Sequence, residues 1–575
     1  MPSIRTSDFH VVCAVLGVFM TCFSFVSYLL KERLYISESC RWNPDDIFDP
    51  TRRSRCLWPV PRRLTLHIVF ALLTGVVAGP YAANFLRPVR WAGGIPELET
   101  TTLDFARLAL SVQVTLAGCQ LPGRFVKRSW RSLLAILGPG MVGMWVVSSF
   151  LVWAICASPD AEGGFKRMPF LHALAIGACI APTDPILAAT VVKGRWADSH
   201  VPARLAQLIS AESGANDGLG YPFLYFALYL IQFVGGSGQY LEKAGGAGKA
   251  MEMFFGETVG FVIVLSIAWG AAVGYVARKG LKFAESLKYI DNESFYSFAV
   301  ILAVLLIGTC GMVGSDDILA CFVAGNVLSW DDWFRRETAN DSFEPTVDML
   351  LNTSIFIYFG AVCPWESFAP HIHTESFLDS PLPIWRLICL GISILALRRV
   401  PVVVGLHVLG WLRPHVSSLR EAGFMGFFGP IGVSAIFYLH VMLEYLRKHI
   451  VSESGDEELR TDVRELFNVA QVCVWFVVVC SVIVHGLSIP SYQLGIWFSR
   501  HTWNQALDEH RYSIRTWLAQ ERDAVKHHAW LSRLRDEEER IKHARVWQRQ
   551  APVRPEPSFR RVRMHPEQEA SQPQG

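Results

Sequence analysis

Charge is what this chain has least of. Asp, Glu, Lys and Arg make up only 18% of its 575 residues, and hydrophobic residues make up 51%; soluble domains carry about 25% charged residues. A chain made mostly of membrane spans is therefore expected. Other things are missing too. There is no phosphate-binding glycine loop, zinc-ligand pattern or dinucleotide fingerprint, which disfavours an ATP-driven pump and leaves no cofactor and no nucleic-acid partner to expect. No TVGYG-like run supplies the carbonyl rings of a channel filter. No Ser or His constellation has the spacing of a membrane-embedded enzyme, so an enzyme is not expected. The thirteen cysteines include no CxxC pair and lie mostly in apolar runs, where they read as small buried hydrophobes. Cys40 and Cys56 are the exceptions, placed in a polar loop.

What is present is a series of apolar runs. About thirteen qualify as membrane helices: 9–30, 66–85, 102–121, 133–157, 171–192, 205–234, 254–276, 295–313, 318–330, 349–362, 384–409, 424–446 and 469–489. Phe9 to Leu30 is longer than the core of a signal peptide and has no small-residue cleavage site before Lys31-Glu32-Arg33, so it reads as a retained helix. Lys and Arg collect in alternate loops: Arg124, Lys127, Arg128 and Arg131; Lys193, Arg195 and Arg204; Arg278, Lys279, Lys282 and Lys288. Positive charge marks the cytoplasmic side. The segment 363–383 has no Lys or Arg and carries Glu366, Glu375 and Asp379, which suits the opposite face. Thirteen spans place the N-terminus outside and the C-terminus in the cytoplasm.

Residues 1–497 are thus expected to form the membrane domain, with an atypical Arg- and Pro-rich loop at 31–65. Residues 498–575 form a cytoplasmic tail. Within it, LSRLRDEEERIKHARVWQRQ reads as a solvated, charge-laced helix, and the stretch from Pro552 has a disordered composition.

Two segments carry chemistry. ACIAPTDPILAA and AESGANDGLGYPF place Asp184, Glu212 and Asp217 inside lipid-spanning runs. An ionised side chain at mid-membrane costs about 2.5–3.5 kcal/mol on insertion scales, so such residues face an aqueous path or a partner and mark ion or proton transport. Pro182 and Pro185 each lack an N–H, which strips the carbonyls of Ala178 and Ala181 of their helical partners. The residues preceding them are pushed away from helical angles. A helix broken at Thr183-Asp184 follows, and free carbonyls with half-helix dipoles are how secondary transporters build ion sites. Ser213 and Asp217, four apart, share one helix face. Oxygen ligands suit a small hard cation, and the same carboxylate can bind a proton; competition at Asp217 would give exchange. Asn216 and Glu212 lie off that face, free to orient the broken helix or to pair with a buried arginine.

APTDP, ESGANDG, GSDDILACFVAG, LRRVP, FFGPIGVSAIFY and VIVHGLSIP together resemble the fungal plasma-membrane Na+/H+ antiporters of the monovalent cation:proton antiporter (CPA) superfamily. The likeness runs from the third span through Pro490. It implies an all-α, NhaA-like inverted-repeat fold with two crossed discontinuous helices, a homodimer in the plasma membrane, and exchange of Na+, Li+ or K+ for H+. By this resemblance Asp217 is the ion-binding and proton-carrying acid, Thr183 and Ser213 are co-ligands, and Asp184 stabilises the crossover. The resemblance also draws attention to Asp316 and Asp317, which open an apolar helix where capping is an equally good account. It puts one of Arg398 and Arg399 in the core, opposite Glu212 or the half-helix ends. His440 and His485 read as hydrogen-bonded within the bundle. Gln113, and Asp104 with Arg107, read as packing hydrogen bonds or an internal pair.

Overall fold

The computed structural model describes residues 11–22, 63–159, 165–192, 197, 200–235, 245–287, 292–339, 343–368, 382–451 and 461–548. Cys40, Cys56, nearly all of the Arg/Pro-rich loop and the stretch from Pro552 lie outside these residues. The chain divides into two compact units, residues 1–494 and 495–575.

Among the described residues, the first unit is helical apart from one antiparallel strand pair, Ala157–Pro159 with Phe165–Arg167. Lipid offers backbone amides no hydrogen-bond partner, so each apolar run must satisfy its own, and a helix does this. Six helices among the described residues are long and apolar enough to cross a membrane: Trp130–Ile155, Gly246–Ser286, Phe295–Val313, Phe343–Val362, Ile384–Val408 and Val463–Tyr492. Shorter apolar helices include Val11–Cys22, His67–Ala78, Phe170–Ile180 and Asp317–Leu328. The helix Ile95–Gln120 buries a continuous stretch from Ala109 to Leu116.

Polarity is distributed as a bilayer requires. Leu73, Val77, Phe150, Ile267, Val276, Ile301, Val304 and Ile392 are exposed, while Thr183, Asp184, Glu212, Asn216, Asp217, Arg398 and Arg399 are buried. With lipid outside, apolar burial gives little drive for helices to associate, and close backbone packing of small residues takes over. A Cβ on Gly270 would sit 2.4 Å from the Ala320 carbonyl oxygen, and one on Gly75 would sit 2.0 Å from that of Ile357. These contacts hold Gly246–Ser286 (its helical turns are of two kinds) against Asp317–Leu328, and Arg63–Ala78 against Phe343–Val362.

Four runs read as single spans are interrupted: 205–234 at Gly220 and 384–409 at Arg398-Arg399, and two more by longer non-helical segments. The run 171–192 breaks where the prolines predict, into Phe170–Ile180 and Pro185–Val192. The run 424–446 also breaks, into Leu419–Phe427 and Val433–Leu446, with residues 428–432 non-helical between them. Gly429-Pro430-Ile431-Gly432 combines a proline without an N–H and two flexible glycines, a signal sufficient to place the second break from the residues alone. The last helix runs Thr461–Gln548. In the second unit, the side chains of residues 529–543 are all exposed.

Candidate ion-binding site

The two breaks meet. The amide of Asp184 donates to the Pro430 carbonyl at 2.9 Å. The Asp184 carboxylate answers with one oxygen to each side. Its Oδ1 accepts from the amides of Ile186 (2.7 Å) and Leu187 (3.2 Å), at the start of its own half-helix. Its Oδ2 accepts from the amide of Val433, the first residue of Val433–Leu446. A helix N-terminus carries about half a positive charge, so one carboxylate neutralises two such ends.

The opposite ends are served by Arg398. Its Nη1 donates to the carbonyls of Ile180, Ala181 (3.2 Å) and Pro182 (3.2 Å), and its Nη2 donates to that of Gly429. The carbonyl orphaned at Ala181 by Pro185 thus finds a guanidinium, whose planar fork presents donors in two directions. Arg399 points elsewhere. Its Nη2 lies 2.7 Å from Glu212 Oε2 and its Nε donates to the Met425 carbonyl at 3.1 Å. The expectation that one arginine is in the core is corrected: both are 2% exposed, and they divide the two expected tasks. Unpaired, either charge would carry a desolvation penalty of several kcal/mol.

Ala203–Leu219 carries the acid helix past this crossing. Asn216 Nδ2 donates to Thr183 Oγ1 at 2.7 Å, and the Thr183 hydroxyl lies 3.2 Å from that of Ser213. Thr183, Ser213 and Asn216 are thereby brought together, with Asn216 orienting the break. Asp217 is fully buried, and neither carboxylate oxygen has a hydrogen-bond partner. The Ser434 hydroxyl lies beside it, itself unpartnered, and the Asp184 carboxylate is close enough to interact with it. The backbone carbonyl of Asp217 accepts from the Tyr438 hydroxyl. An ionised carboxylate buried without a partner is costly, and a proton or a cation on its free oxygens would relieve that cost.

A profile for transmembrane sodium/hydrogen exchangers matches residues 54–493. The chain belongs to the sodium/hydrogen exchanger family. It is 33% identical over 497 residues to Na+/H+ antiporter 2 of Zygosaccharomyces rouxii, covering 86% of this chain and 54% of that protein. It is 34% identical over 501 residues to a probable Na+/H+ antiporter of Schizosaccharomyces pombe, covering 86% and 57%. A Saccharomyces cerevisiae Na+/H+ antiporter is 33% identical over 502 residues, covering 86% and 44%. The chain spans about half the length of these relatives. Its fold is that of the sodium proton antiporter MjNhaP1 from Methanocaldococcus jannaschii, with a TM-score of 0.52 at 16% identity, over 84% of this chain and all of that one.

In this exchanger fold two cavities take successive stretches of the helix Ile95–Gln120. The smaller, about 50 Å³, is lined by Gln113, Gln120, Pro185, Ser210, Asp348 and Asn352 among others. The larger, about 240 Å³, is lined by Arg107, Tyr221, Asp316, Asp317, Phe437 and Glu444 among others. Asp316 and Asp317 open a helix that packs on the acid helix next to Asp217, where a Cβ on Gly218 would meet Leu319 at 2.7 Å. Asp316 caps the helix Asp317–Leu328, accepting from the Leu319 amide at 3.0 Å. Arg107 pairs with Asp317 (3.6 Å) as well as with Asp104 (3.9 Å). Gln113 donates to Asn352 at 2.6 Å. His440 lies 2.8 Å from the Ile436 carbonyl, and His485 Nε2 lies 3.0 Å from that of Phe427.

Residue reading passed over Tyr438, Ser434 and Gly432, all at the second break. A Cβ on Gly432 would meet Asp184 Oδ2 at 2.1 Å. The glycine is there because the carboxylate needs the room.

Proposed function

We propose that this protein is a secondary active antiporter that exchanges Na+ for H+ by competition at Asp217, with Li+ and K+ as further cargo. The observation that carries the reading is the fully buried Asp217 carboxylate, both oxygens free, beside the crossing of two broken helices. The names of the fungal relatives support the pairing of Na+ with H+.

Asp217 holds either a dehydrated alkali cation or a proton. Ser213 and Thr183 offer hydroxyl or carbonyl oxygens to the cation, the donor class a small hard cation prefers. Asn216 sets the position of Thr183. Asp184 and Arg398 hold the half-helix ends, and Glu212 with Arg399 ties the acid helix to the segment before the second break. Binding one cation or one proton, never both, makes the exchange obligatory. By the distribution of Lys and Arg, the smaller cavity is the cytoplasmic approach and the larger the outer one, and the C-terminus lies in the cytoplasm. Residues 1–497 form the exchanger domain and 498–575 the tail. We place the protein in the plasma membrane as a homodimer, where it exports alkali cations and adjusts pH.

The test is cation-driven proton movement in sealed lipid vesicles containing purified protein, with a pH-sensitive dye inside. Wild type should move protons when Na+ is added, and a folded Asp217→Asn variant should not. Continued exchange by that variant would move the carrier away from Asp217. Silence of the wild type itself would end the antiport reading.

A further inference from the structure

Cys156 and Cys473 touch across 317 positions of chain, their sulfurs 3.4 Å apart and both side chains buried. Cys156 follows the helix Met141–Ile155 and leads into the strand pair at Ala157–Pro159. Cys473 lies in the last helix, two residues from Gln471, whose amide donates to Glu99 at 3.2 Å. Glu99 belongs to the first turns of Ile95–Gln120, and the far end of that helix runs towards Arg124, Lys127, Arg128 and Arg131. The span Trp130–Ile155 starts at the same basic cluster. Both cysteines therefore sit at the end of the bundle remote from it, which the distribution of Lys and Arg makes the outer end. The two helices they join each hold one of the crossing segments. From Met141–Ile155, Trp145 Nε1 donates to the Leu174 carbonyl at 2.8 Å, and Ser149 packs so tightly on the same half-helix that a Cβ on Gly177 would lie 2.2 Å from its hydroxyl. From the last helix, the Ser481 hydroxyl accepts from the Ile431 amide at 2.7 Å, and His485 Nε2 lies 3.0 Å from the Phe427 carbonyl.

We propose that Cys156 and Cys473 are a modification site, oxidised to a disulfide that staples the helix supporting the first broken segment to the helix supporting the second. A disulfide needs sulfurs about 2.05 Å apart, a closure from 3.4 Å that rotation about the two Cα–Cβ bonds supplies. The outer side of a membrane is an oxidising compartment in which such bonds persist. The oxidant is itself a disulfide, of the thiol–disulfide exchange class. One cysteine thiolate attacks it, giving a mixed disulfide and releasing one thiol; the second cysteine thiolate displaces the other. The two cysteines lose two protons and two electrons, one S–S bond forms as another breaks, and the oxidant leaves as two thiols. The exchange takes place while the chain is being inserted, before the helices close over the pair. Burial then shields the bond from reductants. The proposal rests on the topology given with the exchange reading and not on the identity of the transported ion.

The experiment maps thiols in the full chain. Membranes from yeast cells producing it are denatured in detergent with N-ethylmaleimide, then reduced, and the thiols freed by reduction are labelled with the deuterated reagent before peptide mass spectrometry. Cys156 and Cys473 should carry the heavy label, while Cys179 and Cys321, equally buried, should carry the light one. Light label on Cys156 and Cys473 overturns the proposal. So does heavy label that persists on Cys156 in a Cys473→Ser variant, since another partner then holds it. If that variant does not accumulate, the unreduced digest of the wild type decides: a peptide pair joined through Cys156 and Cys473 supports the staple, and its absence refutes it. Purified protein reduced until both thiols are free should melt below the oxidised form, and an unchanged midpoint overturns the stapling role. Failure of the other readings looks different. Free thiols with intact Na+-driven proton flux remove the staple and leave exchange standing, whereas a C-terminal tag cut by protease outside intact cells removes the topology on which the staple rests.

Discussion

Replacing Gly432 by alanine should dismantle the crossing with one methyl group. The added Cβ would lie 2.1 Å from Asp184 Oδ2, 2.8 Å from its Cγ and 3.2 Å from its Cβ. Ordinary contact begins at about 3.4 Å, so the carboxylate oxygen must retreat by 3.4 − 2.1 = 1.3 Å. A free carboxylate would rotate away at little cost. This one is held by the amides of Ile186 and Leu187 on one oxygen and by that of Val433 on the other. A retreat of that size breaks the bond to Val433 and leaves its amide buried without a partner, a loss of about 1.5–3 kcal/mol for a bond to a charged group. The positive end of Val433–Leu446 also loses its counter-charge, which brings the expected total to about 3 kcal/mol. The assay is thermal unfolding of the purified protein in detergent, alongside Na+-driven proton flux in vesicles. Gly423→Ala, whose Cβ meets nothing within 4 Å, is the control; in the helix Leu419–Phe427 it should be neutral or stabilising by about 0.5–1 kcal/mol. Should Gly432→Ala melt and transport like the wild type, the Asp184 bridge between the two half-helices is not what supports the site.

Arg398→Lys keeps the charge but loses the fork that reaches Ile180, Ala181 and Pro182 on one side and Gly429 on the other; proton flux should fall by at least about tenfold. Glu212→Leu and Arg399→Met should each cost about 3–5 kcal/mol alone, and their combination less than either, since the pair removes its own uncompensated charge; a thermal-unfolding double-mutant cycle reads this. Away from the membrane, hydrogen bonding to Arg335, helped by the Gly123 amide and Arg336, holds the Asp332 carboxyl well below its usual range. A depressed carboxylate contributes stability above its unfolded pKa and loses it as pH falls through the folded one. Asp332→Asn should therefore destabilise equally at about pH 6 and about pH 8, with the gap closing only below about pH 4.

Much of the fold was legible before any coordinates. Among the described residues, the apolar runs long enough to span became helices or pairs of half-helices, because a chain in lipid has few other ways to satisfy its amides. Pro182 and Pro185 announced the first break, since each removes an N–H whatever its surroundings. The second break was equally written, in Gly429-Pro430-Ile431-Gly432, but it has no acid beside it to draw attention to it. Glu212 needed a cation, and burial cost alone required that one exist. That the cation is Arg399 while Arg398 turns to the half-helix carbonyls depends on which way two adjacent side chains leave the backbone between Ile384–Leu397 and Val400–Val408, a direction no local pattern sets.

The sequence by itself determined the class of molecule, the places where helices must break and the acids that need a reason to be in lipid, because these follow from properties of single residues: hydropathy, a missing N–H, a charge. Tertiary structure alone decided which groups meet. Asp184 reaches Val433 across 249 positions and Asn216 reaches Thr183 across 33. Asp217 is left with no partner in the same bundle that satisfies Asp184. Two acids of one chemistry acquire opposite circumstances through the crossing of two broken helices, a relation between distant segments that is absent from either segment taken alone.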